Sequence, residues 1–418
     1  MSLFALPYEL LLTIAENLRK NDLYSLIRTS RCLANLLIPL LHTLGARETS
    51  GHTPLCWAAE HEEVELVRIL LSKGATLAPK TGNSAKEQAT ALHWAAKSGS
   101  KPIIDILLEN GADINAATEN NGETALLWAI REGSSVVVQL LLEKGAKVND
   151  NNPISSLLPE AISGGHQNIA KLLIESEVDV NKYGVGGKLP LHLAAVNGDD
   201  ATVELLLDRG AEVDAYDRTQ FQGTALHFAA GGGHLGIMSS LLAKGADIEA
   251  RALDTQATPF HIAALLGQVA ALEFLLDRGA DIGARCEDNS TALHLAASGE
   301  EEDCRLTGIN LLVAKGADVN AQNKYGDTPL REPVFRGYRK IVAALVVQGG
   351  ANVSLKDIYG DSILDEAEKR RDFKMVRLLV RYGIKGSRRR VIRNLKSHGR
   401  ILYYMGKGRE YMESTRST

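Results

Sequence analysis

From about residue 50 onward, two kinds of short apolar stripe alternate along the chain. The first has the wording seen from Thr224 to His234, T-A-L-H-F-A-A-G-G-G-H. The second is a run of Val, Ile and Leu with polar residues between, such as V-E-L-V-R-I-L-L from Val64 or T-V-E-L-L-L from Thr202. Apolar positions returning with helical spacing predict two short helices for each pair of stripes. The leading Thr is an N-cap, its hydroxyl taking a free N–H of the first turn. Pro or Ala follows at the first helical position, where no backbone donor is needed. Leu and the Ala-Ala pair face inward, and their small side chains let two helices approach closely. The second helix ends at Gly74, Gly111, Gly145, Gly210, Gly245, Gly279 or Gly316, where glycine takes a left-handed C-cap at little cost. A hairpin finger then leads to the next pair.

The pair returns ten times, starting at Thr53, Thr90, Thr124, Ser156, Leu189, Thr224, Thr258, Thr291, Thr328 and Ser362, at intervals of 32 to 37 residues. This wording at this period resembles the ankyrin repeat. The resemblance implies an all-α solenoid of about ten helix-turn-helix repeats with hairpin fingers over residues 50–384, each repeat burying its apolar face against its neighbours. Four repeats depart from the wording. The fourth has Pro159 inside its first helix and Glu177 where the capping glycine belongs, and is expected to be the weak point of the array. Pro333 predicts a kink in the ninth. About four extra residues around Glu300 to Arg305 predict a longer loop in the eighth. The charged tenth repeat fits a carboxyl-terminal cap.

Residues 1–45 have a different pattern. Leu10, Leu11, Ile14 and Leu18 share one helical face behind Leu6 and Pro7; Asn21 or Asp22 caps a second helix with Leu23, Leu26 and Ile27; a third holds Leu33, Leu36, Leu37 and Leu40. The opening L-P-x-E-L, then D-L at Asp22 and Leu23, and Arg28, Ser30 and Arg31 resemble an F-box. That resemblance implies a three-helix module docking the Skp1 adaptor of a cullin-RING ubiquitin ligase, with Leu6, Pro7, Leu10, Leu11, Ile14, Leu18 and Leu23 facing the adaptor. Many F-boxes carry a tryptophan after the R-x-S-R segment, where this chain has Leu33 and Leu36. The competing reading is a plain helical cap over the first repeat, since a repeat array needs capped ends. A module this small is marginal alone in either case.

Composition narrows the class. Hydrophobic residues make up 45% of the 418 and aromatics only 5%, the leucine and alanine richness of stacked short helices. The longest apolar run, near Leu33 to Leu41, is interrupted by Pro39 and is too short for a membrane span. The four cysteines, Cys32, Cys56, Cys286 and Cys304, form no C-x-x-C pair, so a disulfide framework or zinc site is not expected, and a cytoplasmic or nuclear location is. Residues 385–418 hold ten Lys or Arg and two Glu, a net of +8, leaving −12 on the rest. The basic C-terminal tail reads as a solvated extension of the cap; its sharper reading is an electrostatic contact with acidic partners, nucleic acid or an import receptor.

Candidate chemistry is sparse. His93, His192, His227, His261 and His294 recur at one position of successive repeats, and the family resemblance gives them a hydrogen-bonding role between neighbouring repeats. The carboxylates form no pair by spacing, and the Gly231–Gly233 run does not follow a strand as a phosphate loop would. No enzyme, cofactor, metal or small-molecule substrate is expected. The free positions carry more. The residue after the histidine slot points to the concave groove by periodicity. It is Trp57, Trp94 and Trp128 in the first three repeats, then Leu193, Phe228, Ile262 and Leu295 further on, and Glu160, Glu332 and Glu366 in the fourth, ninth and tenth. A line of aromatics there is either a recognition stripe or large core packed on the next repeat. Tyr183, Tyr216, Phe221, Tyr325 and Tyr359 at the finger tips are contacts for a partner or for adjacent fingers. The expected function is substrate receptor of an SCF-type ubiquitin ligase, holding a target protein of unknown identity in the groove. The alternative is a scaffold or inhibitor without a ubiquitin link; nucleic-acid binding through the tail ranks behind both.

Overall fold

In the computed structural model the described residues are 53–77, 89–118, 121–148, 156–299 and 302–382. The three-helix module expected over 1–45, with Leu6, Pro7, Leu10, Leu11, Ile14, Leu18 and Leu23, and the tail over 385–418 lie outside them. The chain divides into two compact units, one reaching Glu212 and including Asp217–Thr219, the other made of Val213–Tyr216 and the residues from Gln220 on.

Among its described residues the first unit holds five helix pairs: α1 (Pro54–Glu60) with α2 (Val64–Ser72), α3 (Ala91–Ser98) with α4 (Lys101–Glu109), α5 (Ala125–Arg131) with α6 (Ser135–Glu143), α7 (Leu157–Ser163) with α8 (Gln167–Glu175), and α9 (Pro190–Asn197) with α10 (Asp200–Asp208). The odd-numbered inner helices pack in series, α1 on α3, α3 on α5, α5 on α7 and α7 on α9, and the even-numbered outer helices do the same from α2 to α10. Ala58 and Ala59, Ala95 and Ala96, and Ala194 and Ala195 are all fully buried at these contacts. Ile103, Ile104, Leu107, Val137, Val138 and Leu141 fill the layer between inner and outer helices.

The second unit repeats the plan with α11 (Ala225–Gly232) and α12 (Leu235–Ala243), α13 (Pro259–Leu266) and α14 (Val269–Asp277), α15 (Ala292–Ala297) and α16 (Glu302–Ala314), α17 (Arg331–Arg336) and α18 (Arg339–Ala343), and α19 (Ile363–Lys369) and α20 (Phe373–Tyr382). Among the described residues no strand forms; two isolated antiparallel bridges join Ala117 to Thr124 and Lys356 to Ser362.

Three departures take forms other than those expected from sequence. Pro159 is the third residue of α7, behind the N-cap Ser156. The first four N–H groups of a helix have no internal partner, so the proline breaks no hydrogen bond there. The extra residues of the eighth repeat go at least in part into its outer helix. They add a helical turn, so α16 has 13 residues, and its acidic start, Glu302 and Asp303, suits the positive end of the helix dipole. In the ninth repeat α17 begins only at Arg331, and α18 runs into one wide π-helical turn over Ala344–Gln348. Glu177 does take the left-handed conformation, at φ 61°, in the slot that glycine fills elsewhere.

Candidate functional site

The side chains that tie one repeat to the next share one slot, three residues after the cap. The backbone N–H of Thr90 donates to His93 Nδ1 (3.2 Å), that of Thr224 to His227 Nδ1 (3.1 Å), that of Thr258 to His261 Nδ1 (3.2 Å) and that of Thr291 to His294 Nδ1 (3.1 Å). A backbone N–H can only donate, so Nδ1 is the acceptor and the proton sits on Nε2. Nε2 then donates to a carbonyl of the following finger: Glu123 from His93 (2.9 Å), Ala257 from His227 (2.9 Å), Ala284 from His261 (3.1 Å) and Asp327 from His294 (3.0 Å). Burial, the largest influence, pulls His93, His261 and His294 below their ordinary pKa. His192 caps the Leu189 N–H in the same way (3.1 Å). Where histidine is missing, other groups span the gap. Cys56 donates to the Ala89 carbonyl, and the Ser156 hydroxyl to the Tyr183 carbonyl at 2.8 Å.

A second ladder runs along the fingers and was not foreseen. Asn115 Oδ1 accepts from the Lys147 N–H (2.8 Å), Asn181 Oδ1 from Glu212 (3.0 Å), Asp214 from Asp247 (3.1 Å), Glu249 from Asp281 (2.8 Å) and Asn320 from Asn352 (2.7 Å). The signal was available: an Asn, Asp or Glu stands four residues after the first residue of the corners that open at Gly111, Gly145, Glu177, Gly210, Gly245 and Gly316. Arg251, Arg285 and Gln322 add a third tie, each donating to a carbonyl of its own finger and of the next.

With these side chains committed to structure, the groove positions separate by burial. In the first unit Trp94 is 2% exposed and Trp128 9%. Their rings meet edge to face at 5.2 Å, and Trp128 Nε1 donates to Glu123 Oε2 at 2.9 Å. Trp57 is half-buried and stacks on His61 (4.1 Å), and Leu193 is half-buried. Glu160 is held by Arg131, whose guanidinium also pairs with Glu123 (2.6 and 2.7 Å). Burial pushes the Glu123 carboxyl up, but hydrogen bonds from Arg131 and Trp128 outweigh it and leave the group below its ordinary range.

In the second unit Phe228, Ile262 and Leu295 are half-buried on successive inner helices. Leu265 and Leu266, at the end of α13, are 37% and 53% exposed and extend this apolar surface; two consecutive leucines where every other repeat places at least one polar residue or glycine were the sequence sign. Gly231 lies beside them. A Cβ there would come within 3.1 Å of both Leu266 and Ile262, so glycine keeps the surface between Phe228 and Ile262 low. Glu332 pairs with Arg336 (2.6 Å) and Glu366 with Arg331 (3.6 Å), so the groove turns charged in the last two repeats.

The finger tips divide similarly. Phe221 packs on His227 and Phe228, and the Arg218 guanidinium lies over the Tyr183 ring (3.8 Å). Tyr216 is half-buried, whereas Tyr325 and Tyr359 are 46% and 80% exposed. Among the described residues no three His, Cys, Asp or Glu side chains are grouped to hold a metal ion, and no helix is long and apolar enough to cross a membrane. The Cys286 thiol, half-buried and bonded to Asp288, is pushed up to about 11, which leaves little thiolate at neutral pH.

The family model for ankyrin repeats (3 copies) matches residues 23–118, 79–152, 154–217, 213–286 and 283–357. The chain belongs to the ankyrin-repeat family. Ankyrin repeats make it a protein–protein interaction module. The p105 subunit of nuclear factor NF-kappa-B from Gallus gallus is 31% identical over 174 residues, 41% of this chain and 14% of that protein. The palmitoyltransferase Hip14 of Drosophila melanogaster is 39% identical over 79 residues, 19% of this chain and 12% of that protein. This ankyrin-repeat chain therefore spans a small part of these relatives. One of them is named as a transferase, so the repeats alone do not decide whether a catalytic part accompanies them. The crystal structure of the human ASB11 ankyrin repeat domain is 28% identical, covering 55% of this chain and 99% of that one, with a TM-score of 0.46.

Proposed function

We propose that the chain is a non-enzymatic receptor. The inner-helix face and fingers hold a target protein, while residues 1–45 dock a Skp1-type adaptor and bring the target to an SCF-type ubiquitin ligase in the cytosol or nucleus. The observation that carries the target-binding half is the surface of Phe228, Ile262, Leu265 and Leu266, apolar and part-exposed on repeats whose packing is already complete. Apolar area left in water beside a groove is a recognition feature rather than a stabilising one. Trp94 and Trp128 contribute rigidity to this picture, and Trp57, Leu193, Tyr325 and Tyr359 contribute contact surface. The receptor does no chemistry; tethering raises the local concentration of target near the ligase.

The adaptor half is supported by the wording from Leu6 to Arg31. Co-purification of a Skp1-type adaptor with the full chain tests it, using Leu10→Asp with Ile14→Asp as the control. Retrieval by wild type and loss in the variant is the expected result; no retrieval by wild type removes the ubiquitin link. One observation favours the second reading, a scaffold or inhibitor whose first residues are only a cap. The ankyrin family match begins at residue 23, inside the segment that resembles an F-box. In that reading the adaptor is not retrieved, and deleting residues 1–45 lowers the stability of the first repeats.

A further inference from the structure

The last repeat carries an outer face unlike the others. α20 buries Met375 and Leu379 fully and Val376 almost so, and turns Lys374, Arg377 and Arg381 to solvent. Positions i, i+3 and i+7 lie along one stripe of a helix. Arg370 and Arg371, both exposed, lead into that stripe, and the first turn of the adjacent α18 adds Arg339 and Lys340. Some of this charge is neutralised. Arg339 pairs with Asp372 (3.1 Å), Lys340 with Asp303 (2.6 Å), and Arg370 lies over the Phe335 ring (3.8 Å). Arg371, Lys374 and Arg377 make no ion pair among the described residues.

Stability does not account for this placement. Lys374 sits in the first turn of α20, the positive end of the helix dipole, where a cation is unfavourable. Three other outer helices put acids there, Glu65 in α2, Asp200 in α10, and Glu302 and Asp303 in α16, whereas α4 opens with Lys101 and α18 with Arg339 and Lys340. The charge is also segregated along the chain. Residues 369–418 hold 16 of the 47 Lys and Arg but three of the 51 Asp and Glu, so they are net +13 and residues 1–368 are net −17.

We propose that the outer face of α20 docks an acidic segment of a partner protein, a run of Asp and Glu side chains laid across Lys374 and Arg377. Two features favour that occupant over other polyanions. The apolar side of α20 is spent on the repeat stack, so the helix has no face to sink into an anionic bilayer. A long nucleic acid would extend from this small face over the acidic remainder of the chain, where like charges repel within a Debye length of about 8 Å. A short acidic peptide stays on the basic face, and Phe373, 44% exposed, adds apolar contact at its edge. This surface is separate from the groove and does not depend on the receptor reading.

The test uses the full chain at physiological ionic strength, with a fluorescent poly-glutamate peptide, a short DNA duplex and phosphatidylserine vesicles as probes. The expected result is peptide binding that weakens about five- to tenfold in Lys374→Glu with Arg377→Glu, as loss of two exposed charge contacts implies. Both side chains are exposed, so the thermal midpoint should not change; the milder Lys374→Gln with Arg377→Gln covers the case of a folding defect and should give a smaller loss. Equal peptide affinity in wild type and variant overturns the proposal. So does a duplex or vesicle that binds more tightly than the peptide and loses that binding in the variant.

Discussion

At the scale of single residues the chain is organised by the slot three places after each cap. It holds Cys56, His93, Leu127, Pro159, His192, His227, His261, His294, Arg331 and Asp365 in turn. Histidine suits it because one ring offers an acceptor to its own cap and a donor to the next finger. The neutral ring is required: a proton on Nδ1 would face the N–H it now accepts from. With folded pKa values below the ordinary 6.5, these histidines contribute stability that is complete above pH 6.5 and is lost as pH falls below it. Urea midpoints at pH 7.5 and pH 5.5 should differ in that direction, and the difference should shrink in His261→Asn. Replacing His227 by Ala strands the buried Thr224 N–H and leaves the Ala257 carbonyl with its Ala252 N–H alone, and should cost about 1–3 kcal/mol, read as a shift in denaturation midpoint. The slot was readable because its residue type and offset recur. The burial of Trp128 was not, because it depends on Glu123 reaching back from the finger to take the indole N–H.

At the scale of the helix pair, the corner after each outer helix decides local stability. Gly245 sits at φ 91° with nothing within 4 Å of where a Cβ would stand, so Gly245→Ala measures backbone strain alone and should cost about 1–2 kcal/mol. Glu177 already bears such strain at φ 61°. Glu177→Gly should therefore stabilise the fourth repeat by up to about 1 kcal/mol, seen as slower amide exchange in α8. The opposite signs at equivalent corners make the pair informative. Helix existence, caps and C-terminal glycines followed from the wording, since each depends on a residue and its near neighbours. The fate of the insertion near Glu300 did not. Its length shows in the interval from Thr291 to Thr328, but whether four residues loop out or lengthen a helix depends on packing against α14 and α18.

At the scale of the whole molecule, ten repeats give more surface than their own stability needs. Histidines, asparagines and finger arginines hold neighbours together, and the alanine pairs set the spacing. What is left over is the apolar surface of Phe228, Ile262, Leu265 and Leu266, the exposed finger tyrosines and the basic outer face of α20. Sequence pointed to the groove position in every repeat but could not rank the repeats, because exposure depends on the neighbour: Trp94 lies against Trp128, whereas Ile262 and Leu266 lie beside Gly231, which has no side chain to cover them. The most direct test of a receptor that grips through this surface compares quantitative affinity purifications of the wild-type chain and of Ile262→Ser with Leu266→Ser, two part-exposed changes, after matched thermal melts. The account predicts a discrete set of proteins recovered with wild type and depleted about tenfold or more with the variant, as loss of two hot-spot side chains implies. Identical recovery from both chains at equal stability would contradict it.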